Sequence, residues 1–334
     1  MDALTSSATR TPQCAASVWR AEDLADPAAW TVQLTEAHRA ELVAAARHAA
    51  AAGVPLEGLS TSTFPLPAMA DDLAGWNHEL ATGRAFVLLR GFPVDELTER
   101  EVELAYLGLG THLGTPVGQN KAGDILTHIR DERLPDGTKA RLYRTNRRQD
   151  FHTDGADIIG LLCLHGARSG GESRIVSAGA LYNEILARRP DLLEVLYAPM
   201  HWDRQGEEQP GEQAWFELPP LADVVGEPRF FYLGWYIRDA QRHPEVPRLT
   251  AAQVEAMELI EAIANDPAFH VEMDFRPGDV QLLNNARILH SREAYEDDDD
   301  PAERRHLLRL WLAAHHFTSV EEELRAGLGP DARS

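Results

Sequence analysis

His152-Thr153-Asp154, answered 138 residues later by His290 and then by Arg305 and Arg309, is the set of residues in this 334-residue chain best suited to chemistry. Two imidazoles and one carboxylate on one side of a ferrous ion leave three coordination positions open, enough for a chelating cosubstrate and dioxygen. His and Asp one residue apart meet that demand on a β-strand, where residues i and i+2 share a face and Thr153 points the other way. The triplet alone carries little information, because in a chain with 14 His a His-x-Asp sequence arises about once by chance. His201-Trp202-Asp203 is a second example. It sits in APMHWDRQGEEQPGEQAW, dense in Pro, Gly and charge, which reads as an exposed connection. His152 instead precedes the apolar run from Ile158 to Leu164, suited to a buried strand, and then the turn Ser169-Gly170-Gly171.

The distal half is more specific. Gly278-Asp279 predicts a turn, Val280 to Leu283 a strand, and Asn284 to Leu289 carries the chain to His290. Beyond the acidic loop Glu296 to Asp300, the stretch from Arg304 to Leu312 reads as another buried strand. Alternation puts Arg305, Leu307, Arg309 and Trp311 on one face and His306, Leu308, Leu310 and Leu312 on the other. Arginine keeps its charge, and burying it unpaired costs several kcal/mol. Two such side chains among apolar neighbours need anionic partners: a dicarboxylate and a second anion, or Asp and Glu of the protein itself. Four residues of strand hold the two roughly 13 Å apart at their roots, so one carboxylate cannot meet both there.

Five blocks resemble the signatures of the taurine dioxygenase-like (TauD/TfdA) family. They are Ala85 to Phe92, Phe151-His152-Thr153-Asp154-Gly155, Gly170-Gly171-Glu172-Ser173, Asn284-Asn285 through Leu289-His290, and Arg305-His306-Leu307-Leu308-Arg309. They fall in the family's order and span roughly residues 80 to 315. The resemblance implies a mainly β fold with peripheral helices, a double-stranded β-helix or distorted jelly roll, and an Fe(II)- and 2-oxoglutarate-dependent dioxygenase. On the same grounds His152, Asp154 and His290 are expected to bind iron and to be the catalytic centre. Arg305 is expected to clasp the distal carboxylate of 2-oxoglutarate with help from the Ser173 hydroxyl, and Arg309 to contact an anionic substrate group. Such an enzyme consumes dioxygen, releases succinate and CO2, and by default hydroxylates an unactivated C–H bond of a small molecule. Desaturation, ring formation and cleavage would use the same ligands. The alternative, a cupin-like jelly roll that binds metal without 2-oxoglutarate or without catalysis, has no need of Arg305.

Composition sets the frame. Because residues 152 and 290 must share a core, a single dioxygenase domain is expected over residues 26–334, after a segment 1–25 rich in Ala, Ser and Thr that reads as poorly ordered. An insert at about 190–249 carries Trp202, Trp215, Trp235 and Tyr236 between the two halves of the barrel, suited to a substrate mouth or to packing. A helix is predicted over about 35–52, closing at Gly53, and capping boxes Thr98/Glu101 and Thr250/Gln253 open two more. The formal charge of −21 argues against a nucleic-acid backbone or an anionic membrane as partner and leaves a small-molecule substrate, attracted by local arginines. No apolar stretch approaches a spanning helix and the N-terminus lacks the apolar core of a signal peptide, so a cytoplasmic location is expected, with the oligomeric state open. Cys14 and Cys163 are too few for a disulfide framework. Asp297 to Asp300 lacks the spaced ligands and glycine of a calcium loop and reads as solvated surface. His315 and His316, adjacent and so pointing oppositely in a strand, are not a chelating pair.

Overall fold

A computed structural model of the chain describes residues 10–135, 141–224 and 227–315. The strands of its two larger sheets are β1 (Thr31–Gln33), β2 (Phe86–Arg90), β3 (Gly114–Pro116), β4 (Leu126–Ile129), β5 (Gln149–His152), β6 (Ile158–His165), β7 (Ser173–Ser177), β8 (His270–Met273), β9 (Val280–Asn284), β10 (Ile288–Arg292) and β11 (His306–Ala314), and three two-stranded sheets lie beside them. They form a seven-stranded sheet in the order β1-β2-β9-β6-β11-β3, with β4 also on β11, and a four-stranded sheet in the order β8-β7-β10-β5. All pairs are antiparallel except β1 with β2.

Alternation along each strand decides what lies between the sheets. Phe86, Leu88, Ile159, Leu283 and Trp311 of the larger sheet meet Ile175, Val271, Met273 and Ile288 of the smaller in one buried cluster. Their neighbours in sequence face outward. Val87, Leu89, Leu162, Leu282, Leu308 and Leu310 pack under the N-terminal helices α1 (Glu36–Ala51), α2 (Ala70–Thr82) and α3 (Glu99–Thr111). On the other side Phe151, Val176 and Leu289 pack under α4 (Ala178–Arg188), α5 (Pro190–Leu196), α6 (Gly234–Ala240) and α7 (Ala251–Ala264). The result is four layers, helix on sheet on sheet on helix, in which each fully buried Leu, Ile or Phe contributes about 1.5–3 kcal/mol. Among the described residues no helix is long and apolar enough to cross a membrane.

The predicted helix starts hold. Thr35, Thr98 and Thr250 each accept the backbone N–H three residues on, and all three ends form reciprocal capping boxes. The Gly278-Asp279 turn is also present, and it requires glycine: φ is +83° and a Cβ would lie 2.6 Å from the Phe92 carbonyl oxygen. Asp279, fully buried, takes a two-pronged ion pair from Arg90 at 2.8 Å, which ties β2 to the start of β9.

Three expectations need correction. Residues 1–9 lie outside the described residues, but from Arg10 onward the segment read as poorly ordered is packed. Arg10 pairs with Glu194 and Asp223, and Trp19 and Leu24 are buried. The stretch around His201 is no exposed connection: Met200–Asp203 is a strand paired with Trp215–Leu218, and Trp202 and Asp203 are fully buried. Asp203 accepts from Arg242 and His243, and His201 pairs with Glu217 at 2.8 Å, so local charge pairing stabilises what Pro and Gly suggested was loop. Finally Asp297 is not merely solvated, since its Oδ1 accepts the backbone N–H of Arg305 at 2.9 Å. His316 lies outside the described residues; His315 sits beside Thr115, 3.3 Å from its hydroxyl.

Candidate metal centre and anion pocket

His290 sits in the middle of β10 and lies directly across from His152, the last residue of β5. Their rings are 4.2 Å apart between centroids. Asp154 is not on the strand, contrary to the i, i+2 expectation, because β5 stops at His152. A turn brings it to the same place. Thr153 points away, as expected, and its hydroxyl accepts the Tyr232 N–H at 2.8 Å. Asn285 then fixes the turn: its Oδ1 accepts the Asp154 N–H at 2.8 Å and its Nδ2 donates to the carbonyls of Asp154 and Ala156 at 2.6 and 2.8 Å. The outcome is a buried cluster in which one ligand atom each from His152, Asp154 and His290 lie within 4.8 Å of one another. No other group of three or more His, Cys, Asp or Glu among the described residues is so arranged.

His152 and Asp154 are in ligand form. His152 donates from Nδ1 to the Asp150 carbonyl at 2.8 Å, which leaves Nε2 facing Asp154. Burial and the neighbouring His290 push it down to about 3, so the imidazole is neutral. Burial would raise the Asp154 carboxyl, but Arg309 and the two imidazoles outweigh it and hold it well below the usual carboxylate range. Its Oδ2 accepts from Arg309 Nη1 at 3.2 Å and from Trp311 Nε1 at 3.0 Å, which orients the group and leaves Oδ1 toward His152. His290 Nε2 lies 3.7 Å from Oδ2, and its Nδ1 is buried without a hydrogen-bond partner. Gln149 Nε2 donates to His152 Nε2 at 3.0 Å and would give way to a metal on that lone pair. Two imidazoles and an ionised carboxylate gathered in one buried cluster fit a divalent transition ion that keeps open positions.

Of the predicted arginines, Arg309 is buried and already engaged: besides Asp154, its Nε donates to Gln119 Oε1 at 2.8 Å, while Nη2 has no partner. Tyr143 and Trp311 lie 5.2 and 4.7 Å from its guanidinium. Arg305, 4% exposed, is different. Nη2 reaches only the Gly171 carbonyl at 3.4 Å, Nη1 has no partner, and no ion pair forms among the described residues. Burial lowers its affinity for a proton, with Tyr295, Cys163 and Asp297 opposing. Ser173 is buried nearby, its hydroxyl exchanging long contacts of 3.2–3.4 Å with the Gln281 amide. Of the expected site residues, His152, Asp154 and His290 come together in one cluster, while Arg305 and Ser173 are buried outside it.

Several residues around these were missed. Arg292 follows His290 by two on β10, which was a readable signal, since i and i+2 share a face. Trp235 packs edge-on against His152 at 4.9 Å, and Arg141 and Tyr236 bear electrostatically on Asp154 and Arg309 from loops and a short helix with no periodic signature. A groove of about 940 Å³ lies along Val94–Val102, Arg130–Glu132 and Pro301–His306; it touches Arg305 but none of the three clustered ligands.

The taurine catabolism dioxygenase TauD, TfdA family model matches residues 52–311. FR-33289 synthase of Streptomyces rubellomurinus (strain ATCC 31215) is 35% identical over 312 residues, which is 90% of this chain and 90% of that one. The taurine hydroxylase-like protein SAT17 of Stachybotrys chartarum (strain CBS 109288 / IBT 7711) is 32% identical over 307 residues, covering 87% of this chain and 77% of its own. Among solved structures, asparagine oxygenase in complex with Fe(II), 2S,3S-3-hydroxyasparagine and succinate has a TM-score of 0.66 at 18% identity, covering 85% of this chain and 93% of that one. The non-heme iron oxygenase OrfP in complex with Fe and alpha-ketoglutaric acid has a TM-score of 0.61 at 16% identity, covering 85% and 94%. At those identities the two structures speak for the fold, and the family match and the two relatives speak for the lineage. The chain belongs to the TauD/TfdA family of Fe(II)- and 2-oxoglutarate-dependent dioxygenases.

Proposed function

We propose that His152, Asp154 and His290 hold the catalytic iron, that Arg305 and Ser173 anchor the distal carboxylate of 2-oxoglutarate, and that a small molecule with an anionic group facing Arg309 is hydroxylated beside the metal. The observation that carries this is Arg305. A guanidinium 4% exposed, just ahead of the strand that supplies Arg309 and without an ion pair among the described residues, marks a place completed by an anion from outside. The cupin-like alternative leaves that charge unexplained. In the same reading the two facing sheets are a double-stranded β-helix, and residues 26–334 are one catalytic domain.

When bound, iron with a 2-oxo acid supplies oxidative decarboxylation, giving succinate and CO2 while one oxygen atom is inserted into a substrate C–H bond. The protein's own part is binding and aim. Asp150 fixes the His152 tautomer through its carbonyl, and Arg309 with Trp311 keeps Asp154 ionised and oriented. Ile159, Ile175, Ile288 and Trp311 exclude bulk water from the interior beside the ligands. Substrate approaches from the side bounded by Trp235, Tyr236, Arg141 and Tyr143, which draws its walls partly from the 190–249 insert. That asparagine oxygenase, of similar fold, is found in complex with 2S,3S-3-hydroxyasparagine and succinate supports hydroxylation over the other outcomes.

The test is iron content and 2-oxoglutarate-dependent succinate release over a panel of small acids. His152→Ala and His290→Ala are expected to lose both, while His201→Ala, which removes a pair with Glu217 and a ring contact with Trp215 away from the cluster, keeps both. Iron and turnover surviving in the first two variants would move the centre elsewhere.

A further inference from the structure

Arg292 is the charged residue of the interior that the proposed function leaves without a task. It shares the inward face of β10 with His290 and lies across from Ser173 on β7 and Gln149 on β5. It is 6% exposed. Its guanidinium is 5.1 Å from the centre of the Tyr295 ring, and that of Arg305 is 5.0 Å from the same ring. Burial and the charge of Arg305 push it down to about 10. Among the described residues Nε and Nη1 are buried with no hydrogen-bond partner, as are Nη1 of Arg305 and the Tyr295 hydroxyl. Two repelling cations with three orphaned donors form an anion site larger than one arginine makes.

The remaining nitrogen does something else. Nη2 donates to the backbone carbonyls of Leu142, Thr145 and Arg147, at 3.5 and 3.0 Å for the first two. Those carbonyls belong to a segment that packs on the metal side. Its Tyr143 lies 5.2 Å from the Arg309 guanidinium, and the adjoining Arg141 donates to the Gln119 carbonyl at 3.1 Å. Gln119 in turn accepts from Arg309. One guanidinium therefore touches both the anion pocket and the wall beside the metal.

We propose that Arg292 is a second contact for the far carboxylate of the 2-oxo dicarboxylic acid and, through the same guanidinium, the tie that sets residues 142–147 against Arg309. Cosubstrate binding and ordering of the substrate wall are then one event. The inference rests on the proposed cosubstrate site. Arg305 supplies one unpartnered nitrogen and Arg292 two, which matches the several lone pairs of a carboxylate better than a single arginine does. Because the coupling is a free energy, substrate binding must tighten the cosubstrate by the same factor.

The experiment follows the charge-transfer band of anaerobic Fe(II)-loaded protein during titration with 2-oxoglutarate or with 2-oxobutyrate, which lacks the far carboxylate. Backbone amide exchange over 141–147 is measured alongside, with and without 2-oxoglutarate. Arg292→Gln is expected to weaken 2-oxoglutarate by about tenfold or more, to change 2-oxobutyrate little, and to abolish the ligand's protection of 141–147. Arg292→Lys, which keeps the charge, should recover part of the affinity but none of the protection, since an ammonium cannot span both sets of partners. Equal weakening of both acids, or unchanged affinity and protection, overturns the proposal; so does Lys restoring both. An Arg305→Gln variant separates the levels. If it binds 2-oxoglutarate like wild type, or if wild type shows no band, the cosubstrate site itself is wrong and Arg292 falls with it. If Arg305→Gln is impaired and Arg292→Gln is not, only the present inference fails.

Discussion

The two ends of the space between the sheets are built on opposite principles. At the metal end the charges are matched within the protein: Asp154 takes Arg309 and Trp311, Arg309 takes Gln119, and His152 donates to a backbone carbonyl. At the other end Arg305 and Arg292 lie buried with unfilled donors and, among the described residues, no ion pair. The first arrangement holds ligands in place whether or not a metal is present, so orientation is settled before binding. The second holds buried charge with unfilled donors, and on the proposed reading an incoming anion would relieve it, so that affinity for the anion would be drawn from the folded state's own instability. One end is preorganised and the other is poised.

Removing Arg309 should break this contrast most visibly. Arg309→Met leaves Asp154 buried with Trp311 as its remaining donor, and metal-free protein should lose stability on the order of 3 kcal/mol in urea unfolding. A neutral or stabilising result would mean that the metal end is not charge-matched. Trp311→Phe is milder. It deletes one hydrogen bond to an ionised carboxylate, and iron affinity measured by competition with a chelator should fall about tenfold; an unchanged affinity would show that Arg309 alone fixes the carboxylate.

The smallest effect is pH-linked and serves as a control, because His306 faces away from both ends. Burial first, then His128, Arg130 and His165, push it down to about 4 from 6.5. The unfolded imidazole takes up a proton near 6.5 and the folded one only near 4, so stability is lost as pH falls through that window and regained above it. His306→Asn should flatten the unfolding midpoint between those pH values and leave iron and 2-oxoglutarate affinity alone. A change in either affinity would tie the outer face of β11 to the site.

How much of this was readable from residues follows from which forces set each part. Strand alternation and apolar runs are local, so the inward face of β11, the existence of β6 and β9 as buried strands, and the roles open to Arg305 and Arg309 were legible. The three capping boxes are local too, and the helices behind them begin where expected. Asp154 reached the right place for a different reason than the one predicted: Asn285, 131 positions away, fixes its turn, and no nearby residue announces that. The Met200–Asp203 strand was misread because its stability comes from Arg242 and His243, which buried Asp203 recruits from beyond the hairpin. Arg141, Tyr143 and Gln119 act through loops whose positions depend on distant partners, so spacing says nothing about them. Arg292 was within reach, and two residues after a ligand was the place to look.

The central claim, that the poised end is completed by the far carboxylate of 2-oxoglutarate, is tested most directly by unfolding the metal-loaded protein with and without 2-oxoglutarate, for wild type and Arg305→Gln. Wild type should gain stability with ligand, by about 2.7 kcal/mol at a hundredfold excess over its dissociation constant. Arg305→Gln should begin as stable as wild type or more so, because a buried unpaired charge is gone, and should gain little at the same ligand concentration. A variant that begins well below wild type, or that gains as much from 2-oxoglutarate, would contradict the account.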